Sequence, residues 1–197
     1  MSWLLRFTQL IDRLTDWLGR GLGSLVLLTI AIGFFNVLAR YVGRWIGVQL
    51  ASNIFLELQW YLFSATFFLG FSYLLKHNAN VRVDFLYSHW SDRHKAWIDL
   101  LGTVFFLIPF CCLGLWVTFI PVLQSWGLQL DGSWGAWELS PDANGLPRAP
   151  VKSLILVAFG LLLLQAIAQA VKFLAIAKGY LPISQAIPED SDAQPLG

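Results

Sequence analysis

Few side chains in this sequence have the type and spacing that chemistry needs. The three histidines, His77, His89 and His94, all fall in one polar stretch between apolar segments. None sits inside an apolar segment, where imidazoles on facing helices hold a haem iron. Cys111 and Cys112 are adjacent, lack CxxC spacing and are the only cysteines, so no metal is expected. They read as small apolar fillers of a helix. No GxxxxGK[ST] loop is present to cradle a nucleotide phosphate, and no Ser–His–Asp grouping suggests a nucleophile. No catalytic residue, cofactor or metal is expected, and a net charge of +1 gives no reason to expect nucleic acid.

What remains is a small set of polar residues embedded in apolar surroundings. Arg40 and Glu57 end one apolar segment and begin the next, at similar depth. Pairing them neutralises two charges that are costly in isolation within a membrane. Such a pair acts as an interhelical clasp, as a clasp to a partner subunit, or as a contact for an ion or substrate; the structural role is preferred. Gln165, Gln169 and Lys172 recur at i, i+4 and i+7 and so mark one helix face, which must turn away from lipid toward the rest of the chain or a partner. Asn36 and Gln59 are further donors for interhelical hydrogen bonds, each worth about 1 kcal/mol or less in a membrane. Pro109 predicts a local distortion in mid-helix.

The elements that position these residues are four long apolar runs, about 21–42, 54–75, 97–123 and 151–175. Each exceeds the roughly 20 helical residues that cross a bilayer. Mean hydropathy is +0.63 and 13% of residues are charged, about half the share in a soluble domain. Strict alternation of apolar and polar residues is absent, which excludes a barrel. The expected fold is an all-α membrane protein with four transmembrane helices. Residues 1–20 place Trp3, Leu4, Phe7, Leu10, Ile11, Leu14, Trp17 and Leu18 at i, i+3, i+4, i+7 spacing. That is an amphipathic helix lying in the membrane plane or against a partner; charges at Arg6, Asp12, Arg13 and Asp16 argue against a signal peptide. Val83, Leu86, Tyr87, Trp90 and Trp97 predict a second short interfacial helix between the second and third spans. Residues 176–197 form a tail, disordered by composition from Ile187.

Nine of the thirteen lysines and arginines lie in the N-terminal stretch, the Lys76–Lys95 loop and the tail end. The remaining four are Arg40, Arg44, Arg148 and Lys152. The positive-inside rule then puts both termini in the cytoplasm and the loop of about 124–150 outside. Trp126, Trp134 and Trp137 in that loop suit either headgroup anchoring or docking of a periplasmic protein. No internal repeat and no pair of Gly/Pro-broken spans indicates a midplane ion site.

The run FNVLARY at the end of the first span, ELQWYLFSATFFLGFSYLLK in the second and NVRVDFLY after it resemble one family. So does ELSPDANGLPRAPVKSLILVAFGLLLLQ at the start of the fourth. Together, over about 21–172, they resemble the small membrane (Q-type, DctQ-like) subunit of tripartite ATP-independent periplasmic (TRAP) transporters. The resemblance implies a bacterial inner-membrane chain that scaffolds a large (M-type) subunit. That subunit carries the substrate and coupling-ion sites and takes up an organic anion, expected to be a carboxylate, by symport. A periplasmic binding protein delivers the substrate, and lipid is the remaining partner. It also implies that Arg40, Glu57, Gln59, Trp60, Arg82, Asp84 and Arg148 are structural or interface residues. Two other readings compete: a cytochrome b-like membrane anchor, disfavoured by the histidine placement, and an independent small channel or carrier.

Overall fold

Four helices of the computed structural model are long and apolar enough to cross a membrane: Arg6–Ile46, Asn53–Lys76, Arg93–Ser125 and Ala149–Ala177. The structure describes residues 2–79 and 90–180. In chain order the elements are α1 (Ser2–Ile46), α2 (Asn53–Lys76), α3 (Asp92–Gly102), a π turn (Thr103–Leu107), α4 (Ile108–Ser125) and α5 (Ala149–Ala177). No strand occurs among the described residues, and only two isolated bridges lie in the loop between α4 and α5. The expected all-helical, four-span fold is the observed one.

Residues expected to form a separate in-plane helix instead continue without a break into the first span, so that α1 runs from Ser2 to Ile46. Gly19, Gly21 and Gly23 do not interrupt it. Glycine is tolerated within membrane helices, and a lipid surrounding leaves the backbone no partner but its own helix. Of the expected second interfacial helix, Val83, Leu86 and Tyr87, with Arg82, Asp84 and His89, lie outside the described residues, as does the tail from Ile187, while Trp97 lies on α3.

Helix ends follow from local chemistry. Gly47 takes a positive φ of 71°, which lets the Val48 N–H donate to the Gly43 carbonyl at 2.9 Å. This is the six-to-one closure of a Schellman cap. Asn78, at φ 57°, ends α2 in the same way, with the Ala79 N–H donating to the Leu74 carbonyl at 3.1 Å. Pro109 lies at the start of α4, immediately beyond the π turn. A proline ring clashes with the carbonyl four residues back and offers no N–H. Widening the preceding turn accommodates both effects, so the distortion expected at Pro109 takes the form of a π turn.

The chain divides into two compact units. One comprises the described residues of Met1–Trp17, Phe71–Leu113 and Gly160–Gly197. Ala96, Phe173 and Ile176 are its buried apolar cluster, with Leu100 and Ala177 packed on them. The other comprises Leu18–Gly70 and Gly114–Phe159. Within it, Gly114 faces Phe159, whose ring atoms lie 2.6 Å from where a Cβ would stand. Apolar burial is low throughout: in the most apolar stretch of α2 only 6% of residues are buried, and in α5 28%. Many large apolar side chains of the helices are exposed, while Thr8, Thr15, Asn36, Gln165 and Gln169 are buried, a distribution that suits a lipid solvent.

Candidate functional site

The first unit is organised around a buried ionic network. Asp12 and Asp16 lie one turn apart on α1, flanked on the same face by Thr8 and Thr15, each 2% exposed. Opposite them α5 presents Gln165, Gln169 and Lys172, and α2 ends in Lys76. Lys172 Nζ stands 2.6 Å from Asp12 Oδ2, and both side chains are largely buried. Gln165 Nε2 donates to Asp12 Oδ1 at 3.1 Å and its Oε1 accepts from Thr15 Oγ1 at 2.8 Å. Lys76 donates to the Asp16 carboxylate and, at 3.2 Å, to the Asp12 carbonyl. Gln169 Nε2 donates to the carbonyls of Leu75 and Lys76 at 3.1 and 3.2 Å, meeting acceptors that α2 leaves free at its C-terminal end. His77 packs its ring on Tyr73, centroids 4.3 Å apart, with Nε2 3.4 Å from Asp16. Two carboxylates and two ammonium groups thus pair off, with Asp12, Lys76 and Lys172 largely buried and Asp16 at the edge, its side chain 40% exposed.

The second unit holds a clasp between α2 and the loop 126–148. Asn53, Glu57 and Tyr61 recur every four residues and so share a face of α2. Asn53 Nδ2 donates to the Ala143 carbonyl at 3.2 Å, and the Glu57 carboxylate accepts from the Leu146 N–H and the Ser140 hydroxyl. The Tyr61 hydroxyl donates to the Pro147 carbonyl. Gly145 is required at this contact, because a Cβ there would meet Glu57 Oε1 and Ser140 Oγ, both at 2.8 Å.

The loop is also tied to itself and to its flanking helices. The Glu138 N–H donates to the Ser125 carbonyl at 2.9 Å, and the Arg148 N–H to the Glu138 carbonyl at 2.8 Å. Trp126 Nε1 donates to Ser153 Oγ at 2.7 Å and its ring meets Trp137 edge-on, centroids 4.7 Å apart. Lys152 pairs with Glu138 and, as hydrogen-bond donor, holds that carboxyl below its ordinary range. Asp131 is likewise lowered, by the Ser133 hydroxyl and N–H that it accepts.

The structure brings together some of the residues singled out in the sequence and separates others. Gln165 and Gln169 are buried at 0% and 1% exposure, on the face that their spacing predicted, turned toward the chain itself. Glu57 is buried, but its partners belong to the loop and not to Arg40. Arg40 is exposed and lines a shallow cleft of about 370 Å³ at the α1–α2 turn. The expected Arg40–Glu57 pair is therefore absent: the loop supplies donors to the carboxylate directly. Gln59 reaches across to Gly33, whose missing side chain makes room for its amide. Trp60 stacks edge-on against Tyr61, centroids 4.4 Å apart. Arg82 and Asp84 lie outside the described residues. Asp12, Asp16, Lys76, Asn53, Tyr61 and the Glu138–Lys152 pair were not singled out. The four-residue repeat of Asn53, Glu57 and Tyr61 was the available signal.

Among the described residues no group of three or more His, Cys, Asp or Glu side chains stands together to hold a metal. Both sites spend their polar groups on joining segments of this chain. Residues 29–175 match the family described as tripartite ATP-independent periplasmic transporters, DctQ component. The chain belongs to the DctQ family. No curated protein and no solved structure matches it. As a DctQ chain it is a small-subunit component of a TRAP transporter and a multi-pass protein of the inner membrane. The match takes in the whole of the α2–loop clasp and the α5 face with Gln165, Gln169 and Lys172. It starts beyond Asp12 and Asp16, so the acidic half of the ionic network belongs to the part of this DctQ chain outside the family match.

Proposed function

We propose that this DctQ component braces a large transport subunit in the membrane and carries no solute itself. The large subunit, driven by an ion gradient, takes up an organic anion of the carboxylate class delivered by a periplasmic binding protein. Both termini lie in the cytoplasm and the loop 126–148 faces the periplasm. One observation carries the reading: the charges of the first unit are spent on one another, the largely buried Asp12 on Lys172 and the part-exposed Asp16 on buried Lys76, while many large apolar residues are exposed on the helices. A carrier needs membrane-depth polar groups free to exchange partners with a cargo. A brace needs them locked and its apolar faces available to lipid and to a neighbouring subunit. Arg40, Glu57, Gln59, Trp60 and Arg148 then hold the brace in shape or meet the neighbour.

The test is uptake of labelled carboxylate by cells carrying the large subunit and binding protein, with and without this chain. Loss of uptake, with an equimolar large subunit recovered on affinity purification of this chain in mild detergent, is the expected result. Full uptake without it overturns the proposal. So does carboxylate flux into liposomes containing this chain alone.

A further inference from the structure

Arg148 stands just before α5 within the attraction of Glu57 and Glu138. Among the described residues its side chain makes no hydrogen bond and no ion pair, and Nε is buried without a partner. The two carboxylates that attract it are engaged by other donors: Glu57 by Leu146 and Ser140, Glu138 by Lys152. A guanidinium has five donors in a fixed fork, and a buried donor left unmade costs about 1–3 kcal/mol.

The surroundings show what kind of acceptor fits it. Arg148 and Lys152 line one part of a cleft of about 210 Å³, and Trp60, Phe68, Val151 and Ile155 provide its apolar walls. The cleft is smaller than the roughly 300–1,000 Å³ typical of sites that enclose a whole small molecule, so it takes part of a larger one. Its polarity has a direction. Asn53 at the start of α2 bonds the loop, so α2 and α5 both run away from the loop. Ile155 lies about 10 Å along α5 from Arg148, and Phe68 about 12 Å along α2 from Trp60. Cations therefore sit at the loop end of the cleft, and aromatic and branched side chains continue into the span. A free phosphate would use the first part and ignore the second.

We infer that this cleft binds a glycerophospholipid, its phosphodiester on the Arg148 guanidinium and an acyl chain along Trp60, Phe68 and Ile155. Arginine suits the phosphate because its fork presents parallel donors to two oxygens. Binding of this kind fixes lipid against the α2–loop clasp and is independent of any role in solute uptake.

Native mass spectrometry of the full chain in mild detergent tests the inference. Wild type is expected to retain one phospholipid per chain. After delipidation it should rebind phosphatidylglycerol from mixed micelles, and excess inorganic phosphate should not compete. Arg148→Gln should lower retained lipid about tenfold or more, since a hydrogen bond to a charged group is worth about 1.5 kcal/mol or more and 1.4 kcal/mol is tenfold. Ser64→Trp, which fills the cleft without altering a charge, should do the same and keeps the test open if the arginine variant misfolds. Undiminished lipid in the folded variants overturns the inference. Competition by inorganic phosphate equal to that by lipid shows a free-anion site instead. A cross-link from position 148 to a membrane partner in lipid-free complex shows that a protein acceptor occupies the cleft.

Discussion

The Asp12 side chain joins α1 to α5 by meeting Lys172 and Gln165. Removing one member of a buried ion pair costs about 3–5 kcal/mol, chiefly because the survivor stays charged and alone, whereas replacing both members is close to neutral. Lys172→Met should therefore lower the thermal midpoint in detergent sharply, and Asp12→Asn with Lys172→Met should lower it less than the lysine change alone. Equal loss in both would mean that the pair does not couple. The Glu138–Lys152 pair behaves differently, since both side chains are more than a third exposed and such pairs contribute about 0–1 kcal/mol. Its pH dependence has a definite sign. Glu138 is held below its ordinary value of 4.5, so the folded loop binds fewer protons than the unfolded one. Its contribution is complete above that value and is lost as pH falls through the lowered pKa. The protection of the amides of residues 126–148, measured relative to their intrinsic exchange rates, should fall as pH drops below the ordinary glutamate range, and Glu138→Gln should weaken that dependence, leaving the part carried by Glu57 and Asp131. Gln165, Gln169 and Lys172 were legible as one face from their spacing. Their partner Asp12 was not, since it sits in a stretch whose polar residues read equally well as a solvated face.

At the level of elements, close approach of helices depends on single residues. Gly114 on α4 lies against the ring of Phe159 on α5, and a methyl group at Gly114 would stand 2.6 Å from two ring atoms. Gly114→Ala should destabilise by about 1–3 kcal/mol, the usual cost of overpacking. Adding Phe159→Leu, which withdraws the ring, should recover part of it; a chemical melt of the three variants reads the coupling. The four spans were legible because lipid demands uniform apolar runs, a signal that survives without any knowledge of packing. The continuity of α1 was not. Charges up to Arg20 and a charge-free run from Gly21 read as two elements, but helix continuation depends on backbone hydrogen bonds and not on where hydrophobicity changes. The loop clasp was half legible: Glu57 stood out as a charge in an apolar run. Its donors are the Leu146 N–H and the Ser140 hydroxyl, and only the return of the loop to α2 reveals the backbone donor. Arg40 was the nearest visible cation, and sequence depth alone cannot rank a cation against an amide.

Over the whole molecule, polarity is inverted relative to a soluble protein. On the N-terminal part of α1 the buried positions are Thr8, Ile11 and Thr15, while Trp3, Leu10 and Trp17 are 66–75% exposed. A chain with this surface is soluble only where its surroundings are apolar. The proposed orientation, with both termini in the cytoplasm, rests on the distribution of positive charge. Nine lysines and arginines lie in the N-terminal stretch, the Lys76–Lys95 segment and the stretch from Lys172, against Arg40, Arg44, Arg148 and Lys152 in the rest of the sequence. Short loops rich in Lys and Arg stay on the cytoplasmic side during insertion. A membrane-impermeant maleimide should therefore label Asn144→Cys, at an exposed loop position, in cells whose outer membrane alone has been permeabilised. Tyr180→Cys, exposed beyond α5, should label only after the inner membrane is opened as well. The background needs Cys112, which is exposed on the chain itself, replaced together with Cys111. Labelling of Tyr180→Cys before Asn144→Cys would reverse the orientation, and with it the placement of the loop clasp on the side where a periplasmic partner arrives.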